Sequence, residues 1–325
     1  MEICRSKLLQ REVLRDAGLP VPDFFSFRLK DDIRKINQLT SLPCVVKPLV
    51  LSGSQGVIRA NTPEEFVGAV WRIKSLLESP EIQAKREPGL DRLLVEKYIP
   101  GQEVALEGLL TDGKLRVLAI FDKPDPLEGP YFEETIYVTP SRLAEEIQKD
   151  IISCAADCVR ALGLTHGSIH AEFRIHKSRV WVIEVAPRPI GGMCARALRF
   201  GPEKIFLEEL LLRHALGMDG ADWLREPAAS GVMMIPVPKS GVFEKAEGVE
   251  KAQGVPGIEE ILITAREKDY IAAWPEGSTY LGFIFASAEK PEKVEAALRA
   301  AHAELKFTLS ARMAVEHPVT GKIQV

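Results

Sequence analysis

Apolar positions recur at helical spacing at the start of the chain. Leu8, Leu9, Val13, Leu14 and Ala17 predict a helix over residues 3–17, which Gly18 stops. Pro20 and Pro22 then force an extended connection. The nearly unbroken apolar run over residues 42–51 predicts a buried strand, ending in the small-residue loop Ser52-Gly53-Ser54-Gln55-Gly56. Thr62-Pro63-Glu64-Glu65 has the form of a capping box with proline at the first helical position, so a helix is expected from about 63 to 78. Strands are expected at 93–98 and 103–110, turned by Pro100-Gly101, and a helix over 141–162. Residues 171–175 and 180–185 read as a hairpin with a four-residue loop. Pro202 opens a further helix, which Gly217 closes. The Gly- and Ala-rich stretch 217–231 marks a boundary, followed by strands near 232–237, 258–265 and 279–286 and a helix from Pro291 to about Leu305. This gives a mixed α/β (α+β) chain of two units, 1–220 and a smaller α/β domain over 221–325. No internal repeat or low-complexity tract interrupts it.

Composition narrows the function. At 325 residues, 46% apolar and 27% charged, the chain can bury a sizeable core. Lys plus Arg number 42 against 46 Asp plus Glu, a net charge of -4, so there is no basic excess pointing to nucleic acid. No apolar stretch approaches the roughly 20 residues of a membrane span, and Met1-Glu2-Ile3-Cys4-Arg5 does not open a secretory signal. The five cysteines, Cys4, Cys44, Cys154, Cys158 and Cys194, form no C-x-x-C pair and fit a reducing, cytoplasmic setting. Phosphate-loop, dinucleotide, nucleophile-elbow and zinc-protease motifs are all missing.

Three features remain. Glu172 and Glu184 stand twelve apart on the two strands of the hairpin and fall almost opposite each other, where like charges repel. They are either solvated acids on an outer face or a pair that holds a divalent cation, and the apolar run around Glu184 argues for burial and hence for a partner. Lys47 interrupts an apolar strand just before the glycine-rich loop; it either snorkels at an edge or is a buried cation awaiting an anion, with the loop's backbone N–H groups beside it. Glu96 and Glu103 flank Lys97-Tyr98-Ile99-Pro100-Gly101-Gln102, either as an ordinary charged strand end or as groups for a base edge and ribose hydroxyls. Glu107 shares a strand face with Glu103, and His166 and His170 flank the strand of Glu172. Arg196 and Arg199 are candidate contacts for substrate carboxylates, while Asp122-Lys123 and Phe132-Glu133-Glu134, in a Gly/Pro-rich stretch, either line an acceptor pocket or, as most such charge runs do, form solvated loops.

Taken in order, these segments resemble the ATP-grasp superfamily over about residues 5–217. Lys7, eleven residues before Gly18, resembles the lysine of the opening helix. Pro43-Cys44-Val45-Val46-Lys47-Pro48 with Ser52–Val57 resembles the lid strand and phosphate loop, within a lid of about residues 43–95. Leu94–Glu103 resembles the adenine and ribose hinge, and His170-Ala171-Glu172 with Ile183-Glu184-Val185-Ala186-Pro187-Arg188 the magnesium carboxylates and following arginine. Arg188-Pro189-Ile190-Gly191-Gly192 and the C-terminal segments Gly231–Pro236 and Leu281-Gly282-Phe283 bring it nearest to the carboxylate–amine ligases of the L-amino-acid ligase and carnosine synthase type.

The resemblance implies ATP with Mg²⁺ (or Mn²⁺) and small-molecule carboxylate and amine substrates, joined through an acyl phosphate. It implies nucleotide contacts from Lys7, Lys47, Ser52, Gly53, Ser54, Gly56, Glu96, Lys97, Ile99 and Glu103. It places metal on Glu172 and Glu184, substrate on Arg188, Gly191, Gly192 and Glu107, and catalysis with Arg188 and Lys47. Two points depart from the pattern. Ala186 stands where many ATP-grasp enzymes have an asparagine ligand, and the chain starts almost at Lys7 where an N-terminal domain is usual. A naturally short form, a trimmed chain or a partner-dependent subunit would each give that start. The alternative function is a non-catalytic nucleotide-binding module or a subunit of a larger synthetase; a biotin-dependent carboxylase ranks last. Related enzymes are often dimers, so a homodimer is an expectation as well.

Overall fold

In the computed structural model, which describes residues 2–218 and 223–311 and the backbone of 315–316 and 323–324, the first predicted helix is two. Ser6 caps the second by accepting from the Leu9 N–H (3.3 Å), so α1 spans Glu2–Arg5 and α2 Lys7–Asp16. The buried positions of α2 are Gln10, Arg11 and Leu14, a largely polar face turned inward.

The lid is an antiparallel four-stranded sheet in the order β1-β4-β2-β3: β1 Phe24–Arg28, β2 Cys44–Pro48, β3 Ile58–Ala60 and β4 Arg92–Lys97. β1 lies upstream of the expected lid of 43–95. Helix α3, Ile33–Leu39, is capped by Asp32, and α4, Pro63–Leu77, by Thr62 as the sequence predicts. Phe66, Ala69, Val70, Ile73 and Leu77 recur along one face of α4 and close the lid core against β2 and β3.

The second sheet has eight strands, all neighbours antiparallel. β5 (Gln102–Thr111), β6 (Lys114–Asp122), β7 (Ile136–Thr139), β8 (Gly167–His176) and β9 (Arg179–Ala186) form one part. Strands Ala229–Ile235, Gly282–Ala288 and Ile258–Ile263 continue it beyond β7, so one sheet runs across the boundary expected near 220, a position that falls outside the described residues. Helix Glu145–Ala161 buries Ile151, Cys154, Ala155, Cys158 and Val159 in a core with β5, β8 and β9, and helix Pro291–Glu304 packs on the C-terminal strands. All five cysteines are free thiols. Among the described residues, no helix is long and apolar enough to cross a membrane.

Several boundaries shift for local reasons. The helix expected from 141 starts at Glu145, because the Ser141 hydroxyl donates to buried Asp122 (2.6 Å). The helix expected from Pro202 starts at Leu207, after a short ladder between Arg199–Phe200 and Ile205–Phe206. β1, β3, β6 and β7 have no counterpart in the sequence reading. For β6 a signal exists: Asp112-Gly113, both at positive φ (49° and 78°), is the two-residue turn that joins it to β5.

Candidate functional site

The hairpin β8–β9 turns through Lys177-Ser178 alone, both at positive φ (50° and 60°), so the loop is two residues rather than four. That turn alone would set Glu172 against Ile183 and put Glu184 on the other face. A bulge between Glu172 and Phe173 in the ladder, with Ile183 the extra residue of β9, moves the register by one and pairs Glu172 with Glu184. The expected juxtaposition is therefore present, carried by the bulge.

On the same face, Glu103, Ala105 and Glu107 of β5 oppose Arg174, Glu172 and His170 of β8. Glu103 is held on both oxygens, by Lys123 Nζ (2.7 Å) and Arg174 Nε (2.7 Å). Lys123 also reaches Glu134 (2.5 Å) and Glu172 (2.9 Å). Oxygens of Glu103, Glu134 and Glu172 lie within 4.8 Å of one another around it. Burial works against ionisation of Glu172, but Lys123 and His170 outweigh it and hold its carboxyl well below the ordinary range. Burial pushes Glu134 up to about 7 against the pull of Lys123. Lys123 and Glu134, read from the sequence as loop charges, are thus buried members of the cluster.

Across the cleft, Lys47 pairs with Glu96 at 2.5 Å, and Arg11 Nε approaches the other Glu96 oxygen at 2.5 Å. Burial pushes Glu96 up, yet the two cations prevail and hold its carboxyl at about 2. Lys7 donates to the Leu51 carbonyl (2.7 Å); burial lowers its pKa, opposed by the nearby Glu184 carboxylate. In the loop, Leu51, Gly53, Ser54 and Gly56 all take positive φ (78°, 62°, 56° and 72°), a region cheap for the two glycines and unfavourable for Leu51 and Ser54.

One cleft, with about 730 Å³ of empty space, is walled by both groups. Of the predicted residues it brings together Lys7, Lys47, Ser52, Gly53, Ser54, Glu96, Lys97, Ile99, Glu103, Glu172 and Glu184. Val45, Val57, Tyr98, Phe132 and Ile183 add an apolar slot that the sequence reading missed, as it missed Arg174. Arg174 also donates to the Ile99 carbonyl (2.8 Å), and the N–H groups of Lys97 and Tyr98 donate to Asp23 and Pro43 carbonyls, so those hinge groups already have protein partners.

Five predicted residues stand apart from the cleft wall. Gly56 is buried and donates its N–H to the Pro275 carbonyl (2.9 Å), so it shapes the loop and does not line the cleft. Glu107 is 1% exposed, with one oxygen on His170 and the other accepting from the Ile190 N–H (3.0 Å). It anchors the loop after β9 and does not line the cleft. Arg188, Gly191 and Gly192 are exposed on that loop, and Arg188 donates to the Pro189 carbonyl (2.9 Å). Arg196 pairs with Glu260 (2.7 Å), and His166 stacks on His214 (4.4 Å between rings).

The profile of the ATP-grasp domain matches residues 40–197, and that of the L-amino acid ligase C-terminal domain 2 matches residues 233–310. The crystal structure of an L-amino acid ligase from Bacillus licheniformis superposes with a TM-score of 0.79 at 30% identity, covering 95% of this chain and 74% of that one. The chain belongs to the ATP-grasp superfamily, in its L-amino-acid-ligase branch. Protein y4rH of Sinorhizobium fredii is 24% identical over 319 residues, 95% of this chain and 62% of its own length. Alanine–anticapsin ligase of Bacillus subtilis is 28% identical over 206 residues, 58% of this chain and 42% of its own length. This ATP-grasp chain thus spans between two-fifths and two-thirds of the length of these two curated relatives.

Proposed function

We propose that the protein is an ATP-dependent carboxylate–amine ligase. A substrate carboxylate takes the terminal phosphoryl group of ATP, an amine attacks the acyl phosphate, and an amide, ADP and phosphate leave. The observation that carries this reading is the cleft in which buried Lys47, half-buried Lys7 and a glycine-rich loop face paired carboxylates across an apolar slot.

Transfer of a phosphoryl group needs positioning and charge neutralisation more than a protein nucleophile. Lys7 and Lys47 supply fixed positive charge, each unlike contact worth roughly 4 kcal/mol at 4 Å and an effective dielectric near 20. The apolar slot of Val45, Val57, Tyr98 and Phe132 suits a flat base, and Glu103 keeps lone pairs for ribose hydroxyls. A divalent cation fits the donor pair: Glu172 and Glu184 stand opposite each other on β8 and β9, both line the cleft, and carboxylates are hard oxygen ligands. Mg²⁺ or Mn²⁺ held by Glu172 and Glu184 would neutralise the phosphates that two lysines leave unbalanced. The Ser52–Gly56 loop covers the phosphates and keeps water from the acyl phosphate. Arg188 and the exposed Gly191-Gly192 backbone are assigned to the substrate carboxylate side, on the loop that Glu107 anchors. The five free thiols suit a reducing cytoplasm.

The test incubates the full chain with Mg-ATP and pooled amino acids, following phosphate release and new masses together. A condensation product accompanying phosphate supports the ligase. In Lys47→Ala and Glu184→Gln, turnover is expected to fall by two orders of magnitude or more, in line with loss of preorganised charge at a reacting phosphate. Full activity in Glu184→Gln removes the metal assignment. ATP binding with no turnover on any carboxylate and amine pair favours a nucleotide-binding module, the reading that Lys123's occupation of the carboxylate cluster would suit.

A further inference from the structure

Helix α2 carries two buried polar side chains outside the cleft wall. Gln10 is 4% exposed and Arg11 3%. Both reach β9, the edge strand of the eight-stranded sheet, whose outer backbone groups have no strand partner among the described residues. The Gln10 amide engages Val185 twice: its Nε2 donates to the Val185 carbonyl (2.6 Å), and its Oε1 accepts from the Val185 N–H (3.1 Å). A carboxamide carries the donor and acceptor of a peptide group, so Gln10 serves as one residue of an added strand. Arg11 Nη2 donates to the carbonyl of Ile183, the bulged residue. One step earlier, the Val182 N–H donates to the Pro20 carbonyl (2.8 Å).

These contacts bracket Glu184 on both sides. Its direction depends on the bulge, because the register set by the Lys177-Ser178 turn alone would pair Glu184 with Ala171 and turn it away from Glu172. We infer that Gln10 and Arg11 are positioning residues that lock the Ile183 bulge and so hold Glu184 beside Glu172 for a divalent cation. This rests on the metal assignment of Glu172 and Glu184 proposed above. It gives α2 a role in metal affinity through backbone contacts alone, since neither side chain touches the cation.

The test is calorimetric, with ADP as the probe, in Mn²⁺ and again in EDTA. The ratio of the two affinities measures how far the metal strengthens nucleotide binding, independently of turnover. Gln10→Met keeps the length and bulk of the side chain and removes both hydrogen bonds. The ratio is expected to fall by about tenfold, the scale of a lost outer partner of a metal ligand, while affinity in EDTA stays within about twofold. A general loosening of the fold would lower both affinities together. Glu184→Gln, run in parallel, should abolish the enhancement. If it does and folded Gln10→Met keeps the wild-type ratio, the positioning role is overturned and the metal reading stands. If Glu184→Gln keeps the enhancement, the metal reading falls and the inference falls with it. Should Gln10→Met fail to fold, Arg11→Lys decides: it keeps a cation for Glu96 but lacks the second fork nitrogen for Ile183. Loss of the ratio there supports the inference, and its retention overturns it.

Discussion

Glu96 is a carboxylate 3% exposed between two cations, Arg11 and Lys47. Its carboxyl titrates at about 2 in the folded chain, below the ordinary 4.5. The unfolded chain therefore binds more protons between those values, and stability rises with pH across them. The group contributes on the order of 3 kcal/mol above pH 4.5, lost as pH falls from 4.5 towards 2. Glu96→Gln should flatten that acid limb in melts taken between pH 2 and 5, at the cost of a lower plateau at neutral pH. An unchanged acid limb would show that the ion pairs are not the cause. At this scale legibility followed context. Lys47 was visible because a charge in an apolar strand is anomalous. Gln10 and Arg11 were not, because polar residues on a helix look like a solvent face, and their partners are backbone atoms 175 and 172 positions away. Glu107 shows the converse: sharing a strand face with Glu103 does not bring it to the cleft wall, because His170 and the Ile190 N–H hold its oxygens.

Whole elements were read well where one local signal governs them, as with the Thr62 cap or the apolar face of α4. They were misread where the signal is a turn. The hairpin loop shrank because two successive left-handed residues suffice, and Asp112-Gly113 hid the β5–β6 hairpin in plain view. The turn between β4 and β5 is the strictest of these. Gly101 has φ +111°, and a Cβ there would lie 2.0 Å from the Ile175 carbonyl oxygen. Gly101→Ala should cost at least about 2 kcal/mol, combining backbone strain with a displaced β8. Gly113 also has positive φ (+78°) but nothing within 4 Å of its would-be Cβ, so Gly113→Ala should cost closer to about 1 kcal/mol. Denaturant melts of both variants measure the difference. Equal losses would mean that φ alone decides and that the contact with β8 is soft.

At the scale of the whole molecule, the glycine-rich loop is not free to move alone. Residues 274–276 hold it through three hydrogen bonds: the Trp274 indole N–H donates to Gly53 O (3.2 Å), Gln55 Nε2 to Glu276 O (2.6 Å), and Gly56 N–H to Pro275 O (2.9 Å). Arg72 of α4 pairs with the Glu276 carboxylate, tying the lid helix to the same segment. No pattern in the sequence joins positions 53 and 274, 221 apart; the link exists because three C-terminal strands extend the same sheet as the carboxylate strands. The C-terminal unit therefore bears on the state of the glycine-rich loop. On the proposed reading, loosening the loop admits water to the acyl phosphate. Trp274→Phe keeps a ring against Tyr280, whose centroid is 4.9 Å away, and removes only the indole donor. The expected result is a KM for ATP raised a few-fold and a larger share of phosphate released without ligated product. Counting phosphate against amide in the same reaction reads that ratio directly. A ratio that stays at the wild-type value, with KM unchanged, would mean the loop is held by Lys7 and its own backbone and that the C-terminal segment only rests against it.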